Sequence, residues 1–153
     1  MKHSVFYTFT AVMIFLAGWS ASAVVVDNKT YTNVAGEVWV QNFPWAVDQV
    51  NSHYTTEITF DLSEPSVPYS GTFMNNVTIN GRNRDRPISL TGRLTLNNGG
   101  VIKGFQHIGS IMATGSYYVI ISQNDHIGRL EACTGEFYSN TLESVVCVGN
   151  ESK

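Results

Sequence analysis

Three arginines crowd into Gly81-Arg82-Asn83-Arg84-Asp85-Arg86-Pro87, and they are the side chains of this sequence best suited to grip a ligand. A guanidinium presents a planar fork of donors that matches carboxylate, sulfate or phosphate oxygens two at a time. The Gly, Asn, Asp and Pro around them mark a turn between two extended segments. Arg82, Arg84 and Arg86 are therefore candidate binding residues for an anionic glycan, a lipid headgroup or an acidic protein surface. The competing reading is a solvated loop whose charges keep a sheet edge from pairing, with Asp85 as local partner.

Tyr117 and Tyr118 are the second candidate pair. Successive residues of a strand face opposite ways, so one ring points outward and offers a flat face to a sugar. Trp39, Phe43, Trp45 and Tyr54 also lie close together in the chain, where core packing competes with the same role.

Reactive chemistry has no comparable signal. The sequence holds no Gly-x-Ser-x-Gly elbow, no His-Glu-x-x-His, no phosphate loop and no Cys-x-x-Cys. His53, His107 and His126 are not spaced for one helix face or for adjacent strand positions, so no metal set is assigned. No catalytic residue and no cofactor are assigned either.

Charge is unevenly spread along the 153 residues, whose formal net charge is −3. Residues 24–64 hold six carboxylates and one lysine, a net of −5, whereas residues 65–130 are net +4 and residues 131–153 net −3. A few basic groups in a net-acidic chain bind phosphate backbones weakly, which excludes nucleic acid as the expected partner.

The elements that must position these residues read as strands. Ile58, Phe60 and Leu62 alternate with Glu57, Thr59 and Asp61, and Ile88, Leu90, Leu94 and Leu96 alternate with polar neighbours, each a half-buried strand. Asn97-Asn98-Gly99-Gly100 predicts a hairpin that opposes Leu96 to Val101 and Gly92 to Phe105, with His107 on the inner face. Phe43 to Val50 predicts a short helix, with Pro44 in its first turn. A final hairpin centred on Asn140 sets Cys133 opposite Cys147, and two cysteines in an oxidising compartment read as one structural disulfide. The expectation is an all-β, single-domain antiparallel barrel or sandwich of about seven to nine strands with one disulfide.

Residues 1–23 have the layout of a secretory signal: Lys2 and His3, an apolar run from Val5 to Ala17, then Ala21-Ser22-Ala23. Residues 24–153 are then an exported β-domain, secreted or periplasmic. The apolar run is short for a membrane span, so no stable membrane insertion is expected. Oligomeric state is left open.

Ala113-Thr114-Gly115-Ser116-Tyr117-Tyr118 is loosely similar to the Ser-Gly-Ala-Arg-Tyr segment of bacterial lysozyme inhibitors of the C-type class, although the arginine is missing here. The resemblance covers six residues and implies a small exported β-barrel that inhibits an enzyme. The leading expectation is an exported, non-enzymatic binding domain that contacts an anionic glycan or a protein partner through the arginine loop. The alternatives are that inhibitor, a self-associating structural subunit, and a small hydrolase or isomerase with a spatially assembled site.

Overall fold

The computed structural model describes residues 22–83, 86–114, 117–132 and 134–146. The signal segment expected at residues 1–23 falls outside them except for its last two residues.

Alternation does make strands here, but nearly all of them run parallel to the segment one coil later rather than folding back in hairpins. The chain winds into a parallel β-solenoid of about 4 turns. Its first face stacks β1 (Val24–Val26), β4 (Glu57–Phe60), β7 (Val77–Asn83), β10 (Gly100–Lys103) and the starts of β12 (Val119–Glu131) and β13 (Gly135–Val146), all parallel. The remaining faces stack β5 (Ser66–Val67) and β6 (Gly71–Phe73) on β9 (Ser89–Leu96), then β11 (His107–Ala113), then the later parts of β12 and β13. Neighbouring strands sit ~4.8 Å apart, so equivalent positions of successive coils recur along the solenoid axis at that step.

Parallel stacking turns single apolar residues into inward columns. Val24, Ile58, Ile79, Ile102, Ile121 and Phe137 are successive ladder partners on the first face. Val67, Leu90, Ile108, Ile127 and Leu142 form the second column, and Leu94, Ile111, Leu130 and Val145 the third. Residues Ile58, Ile79, Ile102, Ile121, Leu90, Ile108, Ile127, Leu94 and Ile111 are completely buried. Each such side chain contributes about 1.5–3 kcal/mol relative to remaining in water.

The corners are built from two devices. Between the second and third faces stand Gly92, Gly109 and Gly128. A Cβ on Gly109 would lie 2.2 Å from the Thr91 carbonyl oxygen, and one on Gly128 2.6 Å from the Gly109 oxygen. Only glycine lets consecutive coils approach so closely. Between the first and second faces, buried asparagines satisfy the turning backbone. Asn83 accepts from the Leu62 N–H at 3.2 Å and donates to the Leu62 carbonyl at 2.6 Å. Asn124 accepts from the Phe105 N–H at 3.1 Å. Gln123 and Ser139, the residues just before Asn124 and Asn140, both carry a φ of +55°.

One end of the solenoid is covered by α1 (Phe43–Asn51). Asn42 caps it by accepting from the Trp45 N–H at 2.9 Å, Pro44 occupies the first turn, and Phe43, Ala46 and Val50 are buried. Phe43 lies parallel to Tyr69 at 5.1 Å and edge-on to Phe73. An antiparallel hairpin of β2 (Thr30–Thr32) and β3 (Val38–Val40) stands beside it, with Tyr31 stacked on Trp39. The predicted helix is thus present. No helix of the described residues is long and apolar enough to cross a membrane.

The architecture corrects the expected antiparallel barrel or sandwich, and with it the barrel implied by the lysozyme-inhibitor resemblance. Alternation reports one buried face and is blind to the direction of the neighbouring strand. Asn97-Asn98-Gly99-Gly100 does not close a hairpin, because β10 pairs with β7 and β12, and β9 with β11, β5 and β6. Gly99 adopts the positive φ expected of it, +74°, at a corner. The final hairpin is likewise replaced: Gly135–Val146 is one strand running parallel to β12. That removes the antiparallel register on which the Cys133–Cys147 disulfide rested. No disulfide is found among the described residues, and both cysteines lie outside them. His107 lies on the outer side of its strand, since its neighbour Ile108 fills the interior.

Candidate functional site

The corner glycines bend β9, β11 and β12 so that the residues just beyond them point outward in a line. Arg93, Ser110, Arg129 and Ser144 are successive ladder partners, one per coil. Arg93 Nε donates to Ser110 Oγ at 3.3 Å, and Ser144 Oγ donates to the Gly128 carbonyl at 3.0 Å. The two guanidinium groups differ in their surroundings. Arg129 is paired with Glu131, Nε to Oε1 at 2.5 Å. Arg93 has no carboxylate partner among the described residues, and its side chain is exposed. Two rungs of ~4.8 Å separate the two arginine positions.

A second outward line runs beside the first. His107 and His126 stack with ring centroids 4.9 Å apart and planes inclined by 11°. On the far side of the Arg93 line, Thr95, Met112, Glu131 and Val146 are ladder partners. The two faces therefore present hydroxyls, guanidiniums and imidazoles in straight rows along the axis.

The sequence-derived candidates fall at other corners. Arg82 and Arg86 lie where the first face turns into the second: β7 folds back on β8 (Arg86–Pro87), pairing Arg82 with Pro87 and Asn83 with Arg86. Both side chains are exposed, and Arg86 Nη2 donates to the Ser63 carbonyl at 3.4 Å. Arg84 lies outside the described residues. Tyr117 and Tyr118 stand where the third face returns to the first, 54% and 51% exposed. Tyr118 donates its hydroxyl to Glu136 Oε1 at 2.7 Å, a bond that raises its pKa above the usual tyrosine value. The expected arginine and tyrosine sets are thus carried on two different corners.

Arg93 and Arg129 are what sequence reasoning missed. Both count toward the basic middle segment, but their alignment comes from coil register, and their separations along the chain are unequal. The corner glycines were the available signal, each lying within two residues before a polar outward position.

A polar cluster at the N-terminal end has a fastening role. Asp27 accepts from the Tyr31 hydroxyl at 2.5 Å and from the Lys29 N–H at 2.9 Å, and Lys29 Nζ lies 3.7 Å from Asp27 and 3.9 Å from Asp61. Burial raises the Asp27 pKa, but the Tyr31 and Lys29 hydrogen bonds and the Lys29 charge outweigh it and hold the carboxyl below its usual value. These bonds tie β1 to the β2–β3 hairpin.

Comparison with protein-family models, with curated proteins and with solved structures finds no match for this chain. The functional reading therefore rests on the outward rows themselves.

Proposed function

We propose that this chain is an exported, non-enzymatic binding domain for an extended anionic polymer, with acidic polysaccharide as the substrate class. The observation that carries the reading is the Arg93–Ser110–Arg129–Ser144 line, in which Arg93 has no carboxylate partner among the described residues. A solenoid repeats its outward positions along one axis, which suits a ligand that is itself a linear repeat. Arg93 supplies the fork for a carboxylate or sulfate, Ser110 and Ser144 lie in the same row to meet hydroxyls, and Arg129 supplies a second, partly neutralised cation. Arg82 and Arg86 extend the basic surface at the neighbouring corner.

The test is retention of the purified protein on immobilised polygalacturonate and dextran sulfate, beside neutral dextran, across a salt gradient. Retention on the two anionic matrices that falls with salt and is lost in Arg93→Gln supports the reading. Equal retention on neutral dextran, or an Arg93→Gln variant that elutes with the native protein, overturns it. An Arg82/Arg86→Ser variant reports separately on the corner hairpin.

A further inference from the structure

The histidine row supplies something the arginine row cannot, a charge that appears only on acidification. His107 and His126 are stacked on adjacent coils at 4.9 Å, and His126 Nε2 lies 3.6 Å from Glu143 Oε2. The His126 side chain is 39% exposed and that of Glu143 69% exposed. The polar and charged groups around the pair come from three strands. Ser89 is the ladder partner of His107 on β9, and Asp125 precedes His126 on β12. Glu143 comes from β13, while Arg93 on β9 and Arg129 on β12 stand in the neighbouring row. No carboxylate is within ion-pair distance of His107 among the described residues.

We infer that His107 and His126 form an acid-switched subsite for the anionic groups of the same polymer, an inference that rests on the function proposed above. With both rings neutral, Glu143 and Asp125 leave this stretch at −2, which repels a polyanion from the edge of the Arg93 row. Two protons bring the stretch to zero. Glu143 Oε2 stands 3.6 Å from the site of the first, at His126 Nε2. The second places two like charges on stacked rings, and a bound sulfate or carboxylate relieves that repulsion. An anion favours the protonated rings, so binding takes up protons. Affinity therefore rises as pH falls through the histidine range.

The probe is dextran sulfate, whose sulfates stay ionised throughout, titrated calorimetrically into the protein between pH 8 and pH 5 in buffers of different ionisation enthalpy. The expected result is affinity about tenfold tighter at the acid end, with net uptake near one proton per pair. In a His107/His126→Gln double variant the pH dependence flattens, while Arg93-dependent binding at pH 8 remains. If that variant does not fold by circular dichroism, Glu143→Gln carries the test, with tighter binding at pH 8 and the acid dependence retained. Native binding that depends on Arg93 but not on pH overturns this inference and leaves the proposed function standing. An acid dependence that survives in a folded double variant overturns it too, and absence of binding at every pH overturns both.

Discussion

Asn124 donates its side-chain amide to Asn140 Oδ1 at 2.9 Å, and Asn140 passes the chain on by donating to the Ile121 carbonyl at 2.6 Å. The same Asn124 amide reaches back to the Ile102 carbonyl at 3.3 Å while its oxygen accepts from the Phe105 N–H. One side chain thus satisfies backbone on the coil before and contacts the coil after. Asn124 is only 1% exposed, so water cannot replace it. Asn124→Ala should cost about 1–3 kcal/mol, because the buried Phe105 N–H loses its acceptor and the Ile102 carbonyl a donor, while Asn140 Oδ1 keeps the Asn124 backbone N–H at 3.2 Å. Urea unfolding checks this, and a loss below ~0.5 kcal/mol would show that the corner holds without the asparagine.

The corner Gly109 and Gly36, in the turn between β2 and β3, separate two reasons for a glycine, close approach and positive φ. Gly109→Ala forces a Cβ to 2.2 Å from the Thr91 oxygen, a backbone atom that moves only if the coil spacing changes. Gly36→Ala, at φ +84° with open space around it, costs only the left-handed strain, about 1 kcal/mol. Thermal melts of the two variants should differ sharply, with Gly109→Ala losing several times more stability or failing to fold. Equal losses would mean that coil spacing is more yielding than the geometry implies.

How far the fold is legible in the sequence can be judged from single residues. Ile58, Phe60, Leu94 and Leu96 are inward as their alternation predicts, and Phe43–Asn51 is helical as its cap and proline predict. Pairing direction is not legible, because Leu94 fills an interior equally well beside a parallel or an antiparallel neighbour. A solenoid is often betrayed by a fixed repeat. Here Ile58, Ile79, Ile102, Ile121 and Phe137 occupy one column at unequal separations, since the corners differ in length from coil to coil. The site inherits that opacity: Arg93 and Arg129 are related only through register, whereas the arginines of the Arg82–Arg86 turn are adjacent in the chain and so stand out.

The Asp27 cluster predicts an acid-sensitive fastening. The carboxyl is held below its ordinary value in the folded chain, so the unfolded chain binds its proton first as pH falls. Its stabilising contribution is complete above the ordinary aspartate range and is lost as pH drops through the depressed folded value. Asp27→Asn should lower stability at neutral pH and flatten the fall in stability below pH ~4, as read from urea midpoints across the acid range. A variant whose midpoint falls with acid as steeply as that of the native protein would remove Asp27 from the account. Tyr31 works in the opposite direction. Its hydroxyl is bonded to Asp27 and its pKa is raised, so that contribution is complete below the ordinary tyrosine value and is lost as pH rises through the higher folded one.

The two arginines of the proposed binding row should not be equivalent, and the asymmetry can be measured. Arg129 already holds Glu131, whose side chain is only 13% exposed, whereas among the described residues the Arg93 guanidinium holds the Ser110 hydroxyl and no carboxylate. A polyanion must compete with Glu131 at one position and with a neutral hydroxyl and water at the other. Arg93→Gln should therefore weaken dextran sulfate binding by about tenfold, the loss of a charge-assisted bond, and Arg129→Gln by only a few-fold. Glu131→Gln should do the reverse and tighten binding, because it frees Arg129 and removes a negative charge from the row. The tightening should vanish when Arg129→Gln is added, since the two changes act through one ion pair. Binding isotherms of the four variants at constant ionic strength decide the matter. If Arg129→Gln proves the more damaging change, or Glu131→Gln leaves affinity unchanged, the ligand does not run along this row.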